Sequence, residues 1–260
     1  MTAQLGPAVR VERVEVDASW SIGGKPHGGY LLSLMAAAAL DEAHPHPMAV
    51  SAHYVASPAE TEATLEVERL RTGRRVASTR VRLVQDGAPK IEALISSGTW
   101  DADADPFWTA PGSGPPQLPD AETLGRAPSV GPGGTKVGQL DHVDFRPDPA
   151  SVRWAVGQPA GAAEVRGWLR RHDGADPSPL DLLVFADALP PVTFDLGLFG
   201  WVPTLELTVL LRGKPAPGWV TAVQRAALLQ DGWLDEECLL WDSRGRLVAQ
   251  ARQLAGYRTG

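Results

Sequence analysis

Between residues 180 and 189 every position is apolar except Asp181 and Asp187, and the two acids have different explanations. Asp181 stands three residues after Ser178, with Pro179 at the first helical position, so it belongs to an N-terminal cap and favours the helix dipole. Asp187 lies near the other end, where a carboxylate opposes the dipole. If it faces a sheet it is partly desolvated, which costs stability and raises its affinity for a proton. Those are the properties of an acid–base group. The plain alternative is an Asp that caps the Pro190-Pro191 turn or faces solvent. A second stretch, Gly28-Gly29-Tyr30 after His27, opens an apolar helix. Glycines let the backbone approach a ligand closely, and the first helical N–H groups are unpaired at the positive end of the dipole, so they can receive a developing oxyanion. Here the alternative is a helix start that needs Gly for packing. His27 reads as a turn or supporting residue rather than a base.

These groups need elements to hold them. A helix is expected over 30–43, uncharged until Asp41, hence buried nearly all round, and ended by His44-Pro45-His46-Pro47. A strand over 9–18 precedes it, and β-like stretches follow at about 49–57, 61–71, 74–85 and 88–100, with turn signals at Thr72-Gly73 and Asp86-Gly87. From 101 to 140, Pro and Gly hold 14 of 40 positions, which reads as an interdomain connection. Beyond it the same order returns: extended segments near 138–146 and 163–171, a short helix at 179–189, and strands near 203–212, 219–230, 233–242 and 246–258. Leu83-Val84-Gln85-Asp86-Gly87 also resembles Leu228-Leu229-Gln230-Asp231-Gly232. The order predicts an α+β chain of two tandem halves, 1–100 and 138–260, joined by a Pro/Gly-rich linker at 101–137. Each half would wrap a curved antiparallel sheet round a central helix.

That order, with three stretches of sequence, resembles the acyl-CoA thioesterase II family, the TesB-like thioesterases, whose fold is a double hot-dog. The stretches are Trp20-Ser21-Ile22-Gly23-Gly24-Lys25-Pro26-His27-Gly28-Gly29-Tyr30, Phe185-Ala186-Asp187-Ala188-Leu189, and Leu247-Val248-Ala249-Gln250-Ala251-Arg252-Gln253. The likeness covers nearly the whole chain outside the linker. It implies hydrolysis of acyl-CoA or a related acyl thioester by a water held by an Asp, a Thr and a Gln of the second half, which fall on Asp187, Thr204 and Gln253. Thr208, four residues further along the strand, is the alternative to Thr204. Asp187 would be the general base, with the amides of Gly29 and Tyr30, beside Gly28, holding the oxyanion. The acyl chain is expected between the two helices, against Leu31, Leu34, Met35, Leu182, Val184 and Phe185. The chain lacks the aromatic and His residues that the family carries after the Thr, which bears on substrate range. Arg69, Arg71, Arg74 and Arg75 either meet CoA phosphates or form an ordinary solvated hairpin.

The 260 residues carry a net charge of -7, which excludes a general nucleic-acid binder. The single cysteine, Cys238, permits no intramolecular disulfide and no cysteine metal cage, and fits a cytoplasmic setting. The longest apolar run, 30–40, falls short of the roughly 20 residues of a membrane span. No cofactor or metal is expected: Asp101-Ala102-Asp103-Ala104-Asp105 opens like a calcium loop, but Pro106 takes the place that needs Gly. Exposed sheet edges leave a homo-oligomer open. Two other readings compete. One is a catalytically silent acyl-CoA or lipid-binding module with the same cleft. The other is a hot-dog hydratase, which favours an Asp–His pair, although no His follows Asp187 in the chain.

Overall fold

Burial alternates residue by residue along most strands of this chain, the period imposed on a strand with one covered face. The computed structural model describes residues 9–101, 104, 106–131 and 134–257; the Asp-rich run at 101–105 therefore falls partly outside the described residues. In chain order the elements are β1 (Val9–Glu15), β2 (Ser21–Ile22), β3 (Lys25–Pro26), α1 (Gly28–Ala39), β4 (His46–Tyr54), β5 (Glu62–Thr72), β6 (Val76–Gln85) and β7 (Ala88–Gly98). There follow β8 (Val143–Pro147), β9 (Glu164–Arg171), α2 (Pro179–Phe185), β10 (Thr204–Leu211), β11 (Val220–Gln230), β12 (Trp233–Trp241) and β13 (Leu247–Gly256). Eleven strands make one antiparallel sheet, in the order β1-β5-β6-β7-β4-β10-β13-β12-β11-β9-β8. Its centre is the pairing of β4 with β10, from Glu206 opposite His53 to Leu210 opposite Ala49.

Read outward from that centre, one side runs β4, β7, β6, β5, β1 and the other β10, β13, β12, β11, β9, with β8 beyond. On each side the chain enters at an outer strand, passes through the helix to the central strand, and returns by a three-strand meander. The equivalence differs from the one suggested by the paired Gln-Asp-Gly sequences. Asp86 and Gly87 join β6 to β7, whereas Asp231 and Gly232 join β11 to β12, one turn earlier in the meander. Both pairs have positive φ at both residues, which tight hairpins require, so the shared sequence reflects turn chemistry.

α1 is alanine-rich, which favours helix, and His27 caps it by accepting the Tyr30 N–H at Nδ1. It stops at Ala39, before the expected 43, because Leu40 is extended and the chain turns at once. The buried His44 ring fixes that turn, bonded to Asp41 at 3.0 Å and to the Gly73 carbonyl at 2.9 Å. The prolines thus lie past the stop. α2 begins at the expected cap, with Ser178 and Asp181 bonded reciprocally. It ends at Phe185 rather than 189, because the Asp187 and Ala188 amides bond only three residues back, to Val184 and Phe185.

The two helices pack against each other across the inner face of the sheet, inside one apolar core that includes Leu31, Met35, Leu182 and Phe185. Their approach is backbone to backbone: a Cβ on Gly29 would sit 2.7 Å from the Leu183 carbonyl oxygen. The segment read as a linker is fastened to its surroundings by backbone bonds from Ala127 to Phe145 and from Gly23 to Lys136, and by the Trp168 indole N–H donating to the Pro119 carbonyl. Among the described residues no helix is long and apolar enough to cross a membrane.

Candidate active site

Asp187 sits on the tightened turn just past α2, its side chain 14% exposed, and two groups hold it. The Gly29 amide donates to Oδ2 at 2.7 Å. His27 Nδ1 accepts the Tyr30 N–H, so its proton is on Nε2, which donates to the Asp187 carbonyl at 2.8 Å and lies 3.5 Å from Oδ2. Tyr54 donates its hydroxyl to the Gly28 carbonyl at 3.1 Å, beside the carboxylate. Burial raises the pKa of Asp187 above the usual carboxylate value, and His27 and the Gly29 amide pull it back only in part.

A cavity of about 1020 Å³ opens in front of this carboxylate, at the top of the usual range for ligand sites. Gly28, His27 and Tyr54 line it from one side of the sheet's centre, and Asp187, Thr204 and Gln253 from the other. Gly131, Thr135 and Val137 add wall from the segment read as a linker. The apolar part is built from Leu31, Leu189 and Val202 with Trp154, Phe194 and Phe199, the last three packed with centroids 5.0–6.4 Å apart. Lys25, 5.8 Å from the Trp201 ring centroid, is the one ammonium or guanidinium lining the cavity among the described residues.

Several expectations change. The Gly29 and Tyr30 amides are not open to an oxyanion, since one is bonded to Asp187 and the other to His27. Gly28 lines the cavity instead, and its N–H, the first of α1, has no acceptor among the described residues. Leu34, Met35 and Phe185 are absent from the cavity wall: Met35 and Phe185 are fully buried in the core and Leu34 packs against it. The cavity opens at the first turn of α1, so only residues of that turn, such as Leu31, reach it. The four arginines lie away from it, with Arg69 bonded to Asp41 and to the Ala39 carbonyl.

Thr204 and Thr208 fall on opposite faces of β10. A spacing of four would place them on one face of a regular strand, but a bulge at Leu205 inserts an unpaired residue. Thr204 therefore sits opposite Ala255, in phase with Gln253, and donates its hydroxyl to Gln253 Oε1 at 2.9 Å. Thr208 donates to Ser51 at 2.9 Å on the other face. Thr204→Ala is expected to lower turnover about tenfold, the worth of one hydrogen bond in the transition state, while Thr208→Ala leaves it unchanged. Steady-state kinetics of the two variants checks this, and equal effects would remove Thr204 from the site.

Reasoning from sequence passed over Tyr54, Gln224 and Glu236, all of which line the cavity. Glu236 had a signal: it shares the inward phase of β12 with Leu234, Cys238 and Leu240. Burial beside Glu236 and Asp187 pushes the Cys238 thiol far up in pKa, so it stays protonated.

An antiparallel sheet folded over its helices with a deep apolar cleft at the helix ends defines a hot-dog protein. A hot-dog protein from Alicyclobacillus acidocaldarius superposes with a TM-score of 0.83 at 20% identity, over 96% of this chain and 94% of that one. Residues 16–98 match the acyl-CoA thioesterase N-terminal domain and residues 114–257 the acyl-CoA thioesterase C-terminal domain, and the chain belongs to that family. A candidate thioesterase II from Thermobifida fusca is 33% identical, with a TM-score of 0.86 over 96% of this chain and 92% of that one. The Mycobacterium tuberculosis protein Rv0499 is 32% identical over 270 residues, 96% of this chain and 91% of its own.

Proposed function

We propose that this chain hydrolyses acyl thioesters, acyl-CoA among them, to free acid and thiol with a water activated by Asp187. The observation that carries this is the Asp187 carboxylate, desolvated and facing the same large apolar cleft as a linked Thr204–Gln253 pair. Oδ2 of Asp187 is held by Gly29, which leaves Oδ1 for the water. Thr204 gives its proton to Gln253, so its oxygen can only accept. A water that donates one hydrogen to Asp187 and the other to Thr204 keeps a lone pair free for the thioester carbonyl. As the C–O bond forms, the water's proton passes to Asp187 and the carbonyl oxygen becomes an oxyanion against the Gly28 N–H. Collapse then breaks the C–S bond, and the thiolate leaves with the proton from Asp187.

The two sides of the sheet read as tandem hot-dog halves, 1–100 and 138–260, with 101–137 between them; the matched strand order supports this. The site would lie between the halves. His27, although beside Asp187, has both ring nitrogens engaged, which disfavours the Asp–His chemistry of a hydratase. The test is a screen of thiol release from acetyl-CoA to palmitoyl-CoA. Acyl-CoA recovered intact by mass spectrometry after prolonged incubation with every chain length would instead support a silent binding module.

A further inference from the structure

Glu236 is a buried carboxylate that the chemistry above leaves without a task. Only 2% of it is exposed, yet it lines the catalytic cleft. Its Oε1 accepts the Val192 amide at 2.9 Å, on the turn that follows Asp187, and its Oε2 accepts Gln253 Nε2. Gln224 lies beside it and donates its Nε2 to the Pro190 carbonyl at 3.4 Å. An amide side chain has one donor end and one acceptor end. Because Oε2 of Glu236 takes the NH₂ end of Gln253, the Oε1 end of that amide points at Thr204, and the Thr204 hydroxyl donates to it. Were the amide reversed, Thr204 would accept from it and turn its own proton toward the water, so the water would lose the acceptor for its second hydrogen and with it the orientation that aims a lone pair at the carbonyl.

We propose that Glu236 is a positioning residue whose carboxylate sets the direction of the Gln253–Thr204 hydrogen-bond chain and thereby the orientation of the attacking water. The proposal rests on the reading of Asp187, Thr204 and Gln253 as the water site. The titratable groups around Glu236 are Asp187 across the cleft, with His27 and Tyr54 behind it, and Cys238 on its own strand. Burial and the Asp187 charge raise the pKa of Glu236, and the donors from Val192, Gln253 and Gln224 oppose that rise.

The experiment is a double-mutant cycle on kcat with Glu236→Gln and Gln253→Ala. A Gln at 236 has one acceptor for two donors, so the chain loses its fixed direction. Glu236→Gln alone is expected to lower kcat about tenfold or more with KM within about twofold, the cost of a misoriented water. In the Gln253→Ala background the same change is expected to do nothing further. Effects that multiply in the double variant, or a kcat unchanged by Glu236→Gln while the melting temperature falls, would overturn the proposal by showing a structural role only. If Glu236→Gln does not fold, Glu236→Asp, which keeps the charge but withdraws it, is taken through the same cycle. An Asp187→Asn enzyme with full turnover would sink the water-site reading instead. An inactive Asp187→Asn enzyme with a multiplicative cycle would sink only the role of Glu236.

Discussion

Asp187→Asn is expected to lower thioester turnover by about 10³-fold while making the folded protein more stable at neutral pH, the first because a positioned base is lost. The second follows from linkage. The carboxyl has a raised pKa in the folded state, so the native protein holds its proton more tightly than the unfolded chain. Stability that this group contributes is complete below the unfolded value of 3.8 and is lost as pH rises through the folded value. At neutral pH the native state carries the cost of a buried charge, and an Asn, which can still accept the Gly29 amide at its oxygen, removes it. Activity of the wild type has the opposite sign. It requires the ionised form, so kcat/KM falls as pH drops through a value above the ordinary carboxylate range. Melting curves at several pH values and a pH–rate profile check both parts. Wild-type turnover, or a variant less stable than its parent at pH 8, would remove Asp187 from the role given to it.

Gly29→Ala is expected to damage both fold and activity. The added methyl would meet the Leu183 carbonyl oxygen at 2.7 Å, the Asp187 Cβ at 3.0 Å and His27 Cε1 at 3.1 Å. The first of these is backbone in a facing helix and cannot swing aside, so α1 and α2 must separate. Overpacking of this kind costs about 1–3 kcal/mol. Separation also lengthens the 2.7 Å bond that fixes the carboxylate, and a displaced base loses roughly 10²-fold in rate. Gly125→Ala, where a Cβ meets nothing within 4 Å, is the control for the melting temperature. If the Gly29 variant melts and turns over like the parent, the close helix contact is not a constraint.

Much of this arrangement was readable in the residues. The strands follow from period-two burial and Asp-Gly turns, and the cap of α2 from Ser178, Pro179 and Asp181. Asp187 stood out because a lone acid in an apolar stretch needs a reason. Three things were hidden because they depend on chain direction beyond any local window. The bulge at Leu205, which separates Thr204 from Thr208, has no turn residue to announce it. The Gly29 amide finds its acceptor 158 residues away, so its unpaired state at a helix start could not be judged from its neighbours. Most of the apolar cavity wall comes from the short segments at 154 and 189–203, where no periodicity marks a side chain as inward. Glu236 is different: the phase of Leu234, Cys238 and Leu240 already pointed it inward, and only its charge argued otherwise.

The bond from Gly29 to Asp187 also bears on how the protein comes into being. Residues so far apart in the chain meet only after a large loop has closed, and contacts of high sequence separation form slowly. On the ribosome the helix that donates the amide is made long before its carboxylate exists. Until then the Gly29 N–H is an unsatisfied helix terminus.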